Sequence, residues 1–164
     1  MVLDLKDVFA CEGASYHVDT TLDLKREEIR GGYPFTSDVK VSANFQNRSG
    51  MVTLEIYTYF DYTVDCDRCC ESVTKHFEYS FFHRLIANLE EEYNDEYIET
   101  PDMTLDLSEL VLSDILLELP SKFLCRGDCQ GLCQKCGQNL NLGECSCKKR
   151  EIDPRLEKLK QLLD

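Results

Sequence analysis

Ten cysteines in 164 residues are the side chains best placed to do chemistry, and their spacing sorts them into groups. Cys66-Asp67-Arg68-Cys69 holds two thiols on one short segment, with Cys70 directly after. Much later, Cys125, Cys129, Cys133, Cys136, Cys145 and Cys147 fall within 23 residues, and the last four spell C-x2-C-x8-C-x-C. Zinc takes four ligands in a tetrahedron, and two close thiol pairs joined by a short turn can supply them. Gly137, just after the second cysteine, relieves crowding where the backbone turns back towards such a metal. The spacing therefore predicts a structural zinc at Cys133, Cys136, Cys145 and Cys147. Cys66, Cys69, Cys125 and Cys129 would complete a second site, across the 55 residues that separate Cys69 from Cys125. A competing partition places one zinc on another selection of the six carboxyl-terminal thiols and leaves Cys66 and Cys69 free or disulfide-forming. Cys11 and Cys70 are spectators.

The compartment decides between metal and disulfide. The amino-terminal stretch MVLDLKDVFACEG carries Asp4, Lys6 and Asp7 inside its only apolar run, so no secretory core is expected there. No apolar run reaches the ~20 residues that a bilayer span requires. A soluble, cytoplasmic protein is expected, and in a reducing compartment clustered thiols are metal ligands or redox groups. A four-thiolate zinc is coordinatively closed, which argues against catalysis at the metal. Other chemistry is thin. His17, His76 and His83 show no metal spacing, and His76 and His83 fit strand-surface positions. Neither a phosphate-cradling loop nor a nucleophile elbow is present. The carboxylates sit in charge runs, so no catalytic residue and no small-molecule substrate is predicted.

The elements that must position these thiols are mainly strands. From residue 15 to about residue 87 the hydrophobic pattern has period two. Val39, Val41, Ala43 and Phe45 share one face, as do Val52, Leu54, Ile56, Thr58, Phe60, Tyr62 and Val64. Asn47-Arg48-Ser49-Gly50 is the expected hairpin turn between these runs. Val73, Lys75, Phe77, Tyr79 and Phe81 form another strand, entered through Cys66 to Glu71. Asp106 fits an N-cap with Glu109 in capping-box position, opening an amphipathic helix over about 106–119 that Pro120 ends. Asp153 and Pro154 open a short helix at the carboxyl terminus, with a stripe of Leu156, Leu159, Leu162 and Leu163. The expected fold is α+β: an antiparallel, partly barrel-like β-meander with a packed amphipathic helix, then a zinc-knuckle region and a short helix. Residues 1–120 make the β-rich core domain and residues 121–164 the cysteine-rich region.

Charge divides along the same line. The chain carries 31 Asp plus Glu against 18 Lys plus Arg, a formal net charge of -13. Residues 1–120 hold nine Lys plus Arg against twenty-five acids, whereas residues 121–164 hold nine against six. Six of the acids lie in residues 90–99, an expected solvated loop or an anionic docking surface. A general nucleic-acid binder is disfavoured, since phosphate contacts need clustered cations. Lys148, Lys149 and Arg150 form the one cationic cluster, a candidate RNA or partner contact.

The run C-D-R-C, the D-L-S-E-L helix ending in L-E-L-P, then C-R-G-D-C-Q-G-L-C-Q-K-C-G-Q-N-L-N, C-S-C and I-D-P-R-L-E-K-L resembles the YceD family of large ribosomal RNA subunit accumulation proteins. The resemblance covers most of the chain in order and is specific in the second half. The terminal cysteines resemble the Gram-positive form; other members lack them and keep the C-x-R-C pair, so Cys66, Arg68 and Cys69 match the shared motif, and Cys133 and Cys136 the accessory one. It implies a role in synthesis, processing or stability of large-subunit ribosomal RNA and implies no catalytic activity. The resemblance does not say which molecule is bound; a ribosomal precursor, a basic ribosomal protein or an rRNA-processing enzyme is the expected partner, with Arg68, Lys148, Lys149 and Arg150 as candidate RNA or partner contacts. Two other classes remain open: a thiol redox protein using Cys66 and Cys69, and a zinc-ribbon interaction module outside ribosome assembly. A metal-dependent hydrolase is disfavoured by the absence of a His/carboxylate ligand set.

Overall fold

The computed structural model describes residues 1–87 and 96–147. In chain order its elements are β1 (Val2–Asp4), α1 (Lys6–Ala10), β2 (Ser15–Leu22), β3 (Val39–Arg48), β4 (Met51–Asp65), β5 (Ser72–Ile86), β6 (Ile98–Glu99), β7 (Thr104–Asp106) and α2 (Leu107–Glu118). Strands β2 to β5 form an antiparallel meander, and β6 adds in parallel beside β5. β1 and β7 pair separately as a two-stranded ribbon. The fold is α+β, with mostly antiparallel sheets.

The period-two pattern becomes one buried face. Val39, Val41, Ala43 and Phe45 of β3 and Val52, Leu54, Ile56, Phe60 and Tyr62 of β4 are all buried. Over this face lie Val8 of α1, Leu107, Val111 and Ile115 of α2, Phe35 from the β2–β3 connection, and Phe123. The β3–β4 turn is tighter than the four residues expected. Arg48 pairs with Met51, so Ser49 and Gly50 alone reverse the chain, both at positive φ (55° and 84°), as a two-residue primed turn requires. Asn47 thereby becomes a strand residue with another task. Its side chain, 1% exposed, donates to the carbonyls of Val8 (2.7 Å) and Phe9 (3.2 Å) and accepts from the Gly50 N–H (3.1 Å). One buried amide thus ties the short helix α1 to the hairpin.

Asp106 caps α2 as expected, accepting from the N–H groups of Ser108 (2.9 Å) and Glu109 (3.3 Å). The helix ends at Glu118, ahead of Pro120.

Two further expectations are corrected. The meander is not barrel-like: it stays open, because β2 forms one edge and the other ends in a two-residue β6, while β1 pairs with β7 instead of bridging the edges. His83 is not on the surface. Its odd position on β5 turns it inward, where its Nε2 lies 2.8 Å from Asp114 of α2, and its side chain is 19% exposed. His76 faces solvent beside Asp61. The proposed terminal helix, Lys148, Lys149 and Arg150, and most of the acidic stretch 90–99 lie outside the described residues. Of that stretch, Glu96 pairs with Arg84, and Ile98–Glu99 forms β6. Among the described residues, no helix is long and apolar enough to cross a membrane.

Replacing Asn47 with Ala should cost about 1–3 kcal/mol of unfolding free energy, since the Val8 carbonyl would be left buried without its donor. Denaturant unfolding against Gln46→Ala, an exposed neighbour, measures the difference.

Candidate metal centre

The inward phase of β4 runs Phe60, Tyr62, Val64 and then Cys66, so the alternation that fills the core delivers Cys66, 1% exposed, at the hairpin tip. There the chain turns tightly. The Cys70 N–H donates to the Cys66 carbonyl (2.9 Å) and the Cys66 N–H to the Glu71 carbonyl (2.8 Å). After α2 the chain returns to this tip. Phe123 stacks on Tyr62 at 5.4 Å between ring centroids, and its N–H donates to the Asp67 carboxylate (2.6 Å) while the Asp67 N–H donates to its carbonyl (2.8 Å). This reciprocal clamp brings Cys125 and Cys129 alongside Cys66 and Cys69.

The four sulfurs of Cys66, Cys69, Cys125 and Cys129 lie within 4.8 Å of one another. Cys66 and Cys129 are 3.9 Å apart and Cys69 and Cys125 3.6 Å. A tetrahedron with metal–sulfur bonds of ~2.3 Å has edges of about 3.8 Å, so these separations suit a shared ion. They are far longer than the ~2.05 Å of a disulfide. Cys133, Cys136, Cys145 and Cys147 form a second such group, also within 4.8 Å, with Cys133 and Cys145 at 3.4 Å. Each cluster could hold a metal ion, and four soft thiolates suit zinc or an iron–sulfur centre. Cys11 and Cys70 are exposed and belong to neither.

The local backbone favours thiolates. Burial opposes ionisation of Cys66, but N–H groups of Arg68, Cys69 and Cys125 overcome it and bring the thiol down to about 6. The N–H groups of Cys136 and Lys135 do the same for Cys133, also to about 6. Four of the other sulfurs resist. Neighbouring thiols, with burial, hold Cys69 and Cys147 up at about 12, and Cys125 and Cys145 are also raised. Negative sulfurs so close cannot all ionise alone; a bound dication would remove that penalty.

Arg68 and the amides near it support the geometry. The Arg68 side chain donates to the Cys129 carbonyl (2.8 Å), and the Leu132 N–H donates to the Arg68 carbonyl (3.1 Å). Gly131 permits this approach: its φ is +72°, and a Cβ there would stand 3.0 Å from the Arg68 carbonyl oxygen. Two residues that sequence reasoning missed join the clusters. Asn141 donates to the Cys129 sulfur (3.3 Å), which lowers that thiol, and accepts from the Gln130 N–H (2.8 Å) and the Arg126 side chain (2.9 Å). Asn139 donates to Glu71 (2.9 Å), whose other oxygen lies 3.7 Å from the Cys69 sulfur. The available signal was two amides, Asn139-Leu140-Asn141, held between cysteine pairs, where polar outer partners commonly orient ligands.

Fold and site define a small α+β protein whose central hairpin carries half of one four-cysteine cluster at its tip. The model of the family described as large ribosomal RNA subunit accumulation protein YceD matches residues 54–163, and the chain belongs to that family. YlbN of Bacillus subtilis is 25% identical over 152 residues, covering 91% of this chain and 88% of its own. Rv2926c of Mycobacterium tuberculosis (strain ATCC 25618 / H37Rv) is 34% identical over 103 residues, 60% of this chain and 49% of its own. The chloroplastic large ribosomal RNA subunit accumulation protein YCED homolog 1 of Arabidopsis thaliana is 24% identical over 151 residues, 74% of this chain and 47% of its own. The chain spans about half the length of the mycobacterial relatives it matches first. No solved structure matches it.

Changing Asn141 to Ala should weaken metal binding roughly 10- to 100-fold, the usual scale for losing an outer-layer partner. Competition with a chromogenic chelator reads this directly.

Proposed function

We propose that this chain is a zinc-stabilised, non-enzymatic cytoplasmic factor that supports accumulation of large-subunit ribosomal RNA by binding a basic partner within the precursor particle. Family membership carries the ribosomal part, since both the family and its chloroplastic relative are named for that RNA. The two closed sulfur clusters support the structural, non-catalytic part. In this reading Cys66, Cys69, Cys125 and Cys129 hold one zinc and Cys133, Cys136, Cys145 and Cys147 the other. Residues 121–164 are then a metal-organised region fastened to the core of residues 1–120. The acid excess of that core favours a basic ribosomal protein as partner. RNA contact falls to Lys148, Lys149 and Arg150.

The full chain purified without chelator should contain two zinc ions, by elemental analysis, and Cys129→Ser should contain one. A single zinc with a readily oxidised Cys66–Cys69 pair would instead support thiol redox chemistry. Crosslinking in cells, followed by sequencing and mass spectrometry, should recover large-subunit precursor RNA or ribosomal proteins. Recovery of neither would end the ribosomal reading.

A further inference from the structure

The outward face of the meander carries a groove of about 1010 Å³ spanning β2 to β5. Its floor is the strand row containing Val41 and Thr58, whose own side chains are buried on the opposite side at 3% and 4% exposure. The rows on either side raise outward walls. One pairs Lys40, Tyr59 and Glu78 across three strands, and the other brings Asp19 and Tyr57 to the same trough.

Tyr57 and Tyr59 are 52% and 42% exposed, on the face of the sheet that points away from the core, where Phe82 of β5 is also exposed. Lys40 already lies over the Tyr59 ring, its Nζ 5.7 Å from the centroid, so this surface accepts a cation on an aromatic face. The Tyr57 ring has no aromatic or cationic neighbour among the described residues. Glu55 stands two residues before it on the same face, and Glu78, across from Tyr59, is its diagonal neighbour. Neither carboxylate is ion-paired among the described residues. An exposed ring between two unpaired carboxylates is complementary to a guanidinium, which stacks flat and directs N–H groups to both sides.

We infer that this groove binds an extended, arginine-bearing basic peptide segment of a protein partner, with one guanidinium over Tyr57 between Glu55 and Glu78. The inference deepens the reading of the acidic core as the partner-facing part and rests on it. Single-stranded RNA could also stack on tyrosines, but its phosphates would meet Asp19, Glu55 and Glu78, and Lys40 is the one Lys or Arg among the described residues that line the groove.

The test uses the full chain with two labelled probes, nona-arginine and nona-uridine RNA, read by fluorescence anisotropy. Wild type should bind the peptide in preference to the RNA. Tyr57→Ala and the pair Glu55→Gln/Glu78→Gln should each weaken peptide binding roughly 3- to 30-fold, the span expected for a cation–aromatic contact. Tyr57→Phe keeps the ring and should bind as wild type, which separates contact from folding. Glu27→Gln/Glu28→Gln removes the same charge outside the groove and should change binding less than twofold. Equal loss in that control, or no loss in the groove variants, overturns the inference, as does RNA binding that Tyr57→Ala abolishes. Crosslinking separates the two readings. Groove variants that bind peptide unchanged while wild type still recovers ribosomal components refute the groove alone. Failure of wild type to recover them refutes the ribosomal role, whatever the peptide does.

Discussion

The structure depends on one meeting: two sulfur pairs from segments 55 residues apart converge at the tip of the β4–β5 hairpin. Fourteen residue pairs hold that hairpin, from Val52 opposite Leu85 to Asp65 opposite Ser72. A slip of one residue would turn the inward phase of β4 to solvent and carry Cys66 with it. Register therefore serves core and cluster together. The returning segment has no regular element of its own to guide it and relies on Phe123 against Tyr62 and on the paired bonds to Asp67.

Electrostatics makes the meeting costly without a counterion. The chain is already at -13, and its sulfurs are crowded to 3.4–3.9 Å. Backbone N–H groups draw Cys66 and Cys133 down towards thiolate, while burial and the adjoining thiols keep Cys69 and Cys147 protonated. A dication reconciles the two: it pairs all four charges and replaces repulsion with shared ligation. The peptide donors would then remain useful, since they delocalise the roughly -2 formal charge that a zinc with four thiolates retains.

How legible this was follows from the range of each interaction. Alternation in Val52-Thr53-Leu54-Glu55-Ile56 is a local record of which side faces the core, and the cap at Asp106 is equally local; both were readable. The short helix α1 was not, because five residues carry too little periodicity and the helix is held by Asn47, 38 and 39 residues away. Barrel closure was misjudged because strand edges are decided by what pairs beyond them, and a two-residue β6 leaves almost no pattern. His83 was placed outside by its polarity, although its odd position already set it in phase with Phe77, Tyr79 and Phe81. The cysteine spacing announced metal-type clusters, whereas Asn139 and Asn141 were passed over because their partners, Glu71 and the Cys129 sulfur, are close only in the fold.

Thr58 shows how the two faces of the sheet are coupled. It occupies an inward position where its neighbours in phase are Ile56 and Phe60, yet its hydroxyl is buried without a hydrogen-bond partner among the described residues. An unpaired buried hydroxyl costs on the order of 1–3 kcal/mol, and valine would fit the same β-branched shape without that cost. The strand therefore breaks its own rule of apolar-inward placement in the row beneath the groove, between Tyr57 and Tyr59. Local violations of this kind gather where a surface serves function as well as folding. A sheet packed on one face, with thiols that could hold a metal gathered at its tip and exposed tyrosines on the other face, carries different chemistry on each of its three surfaces.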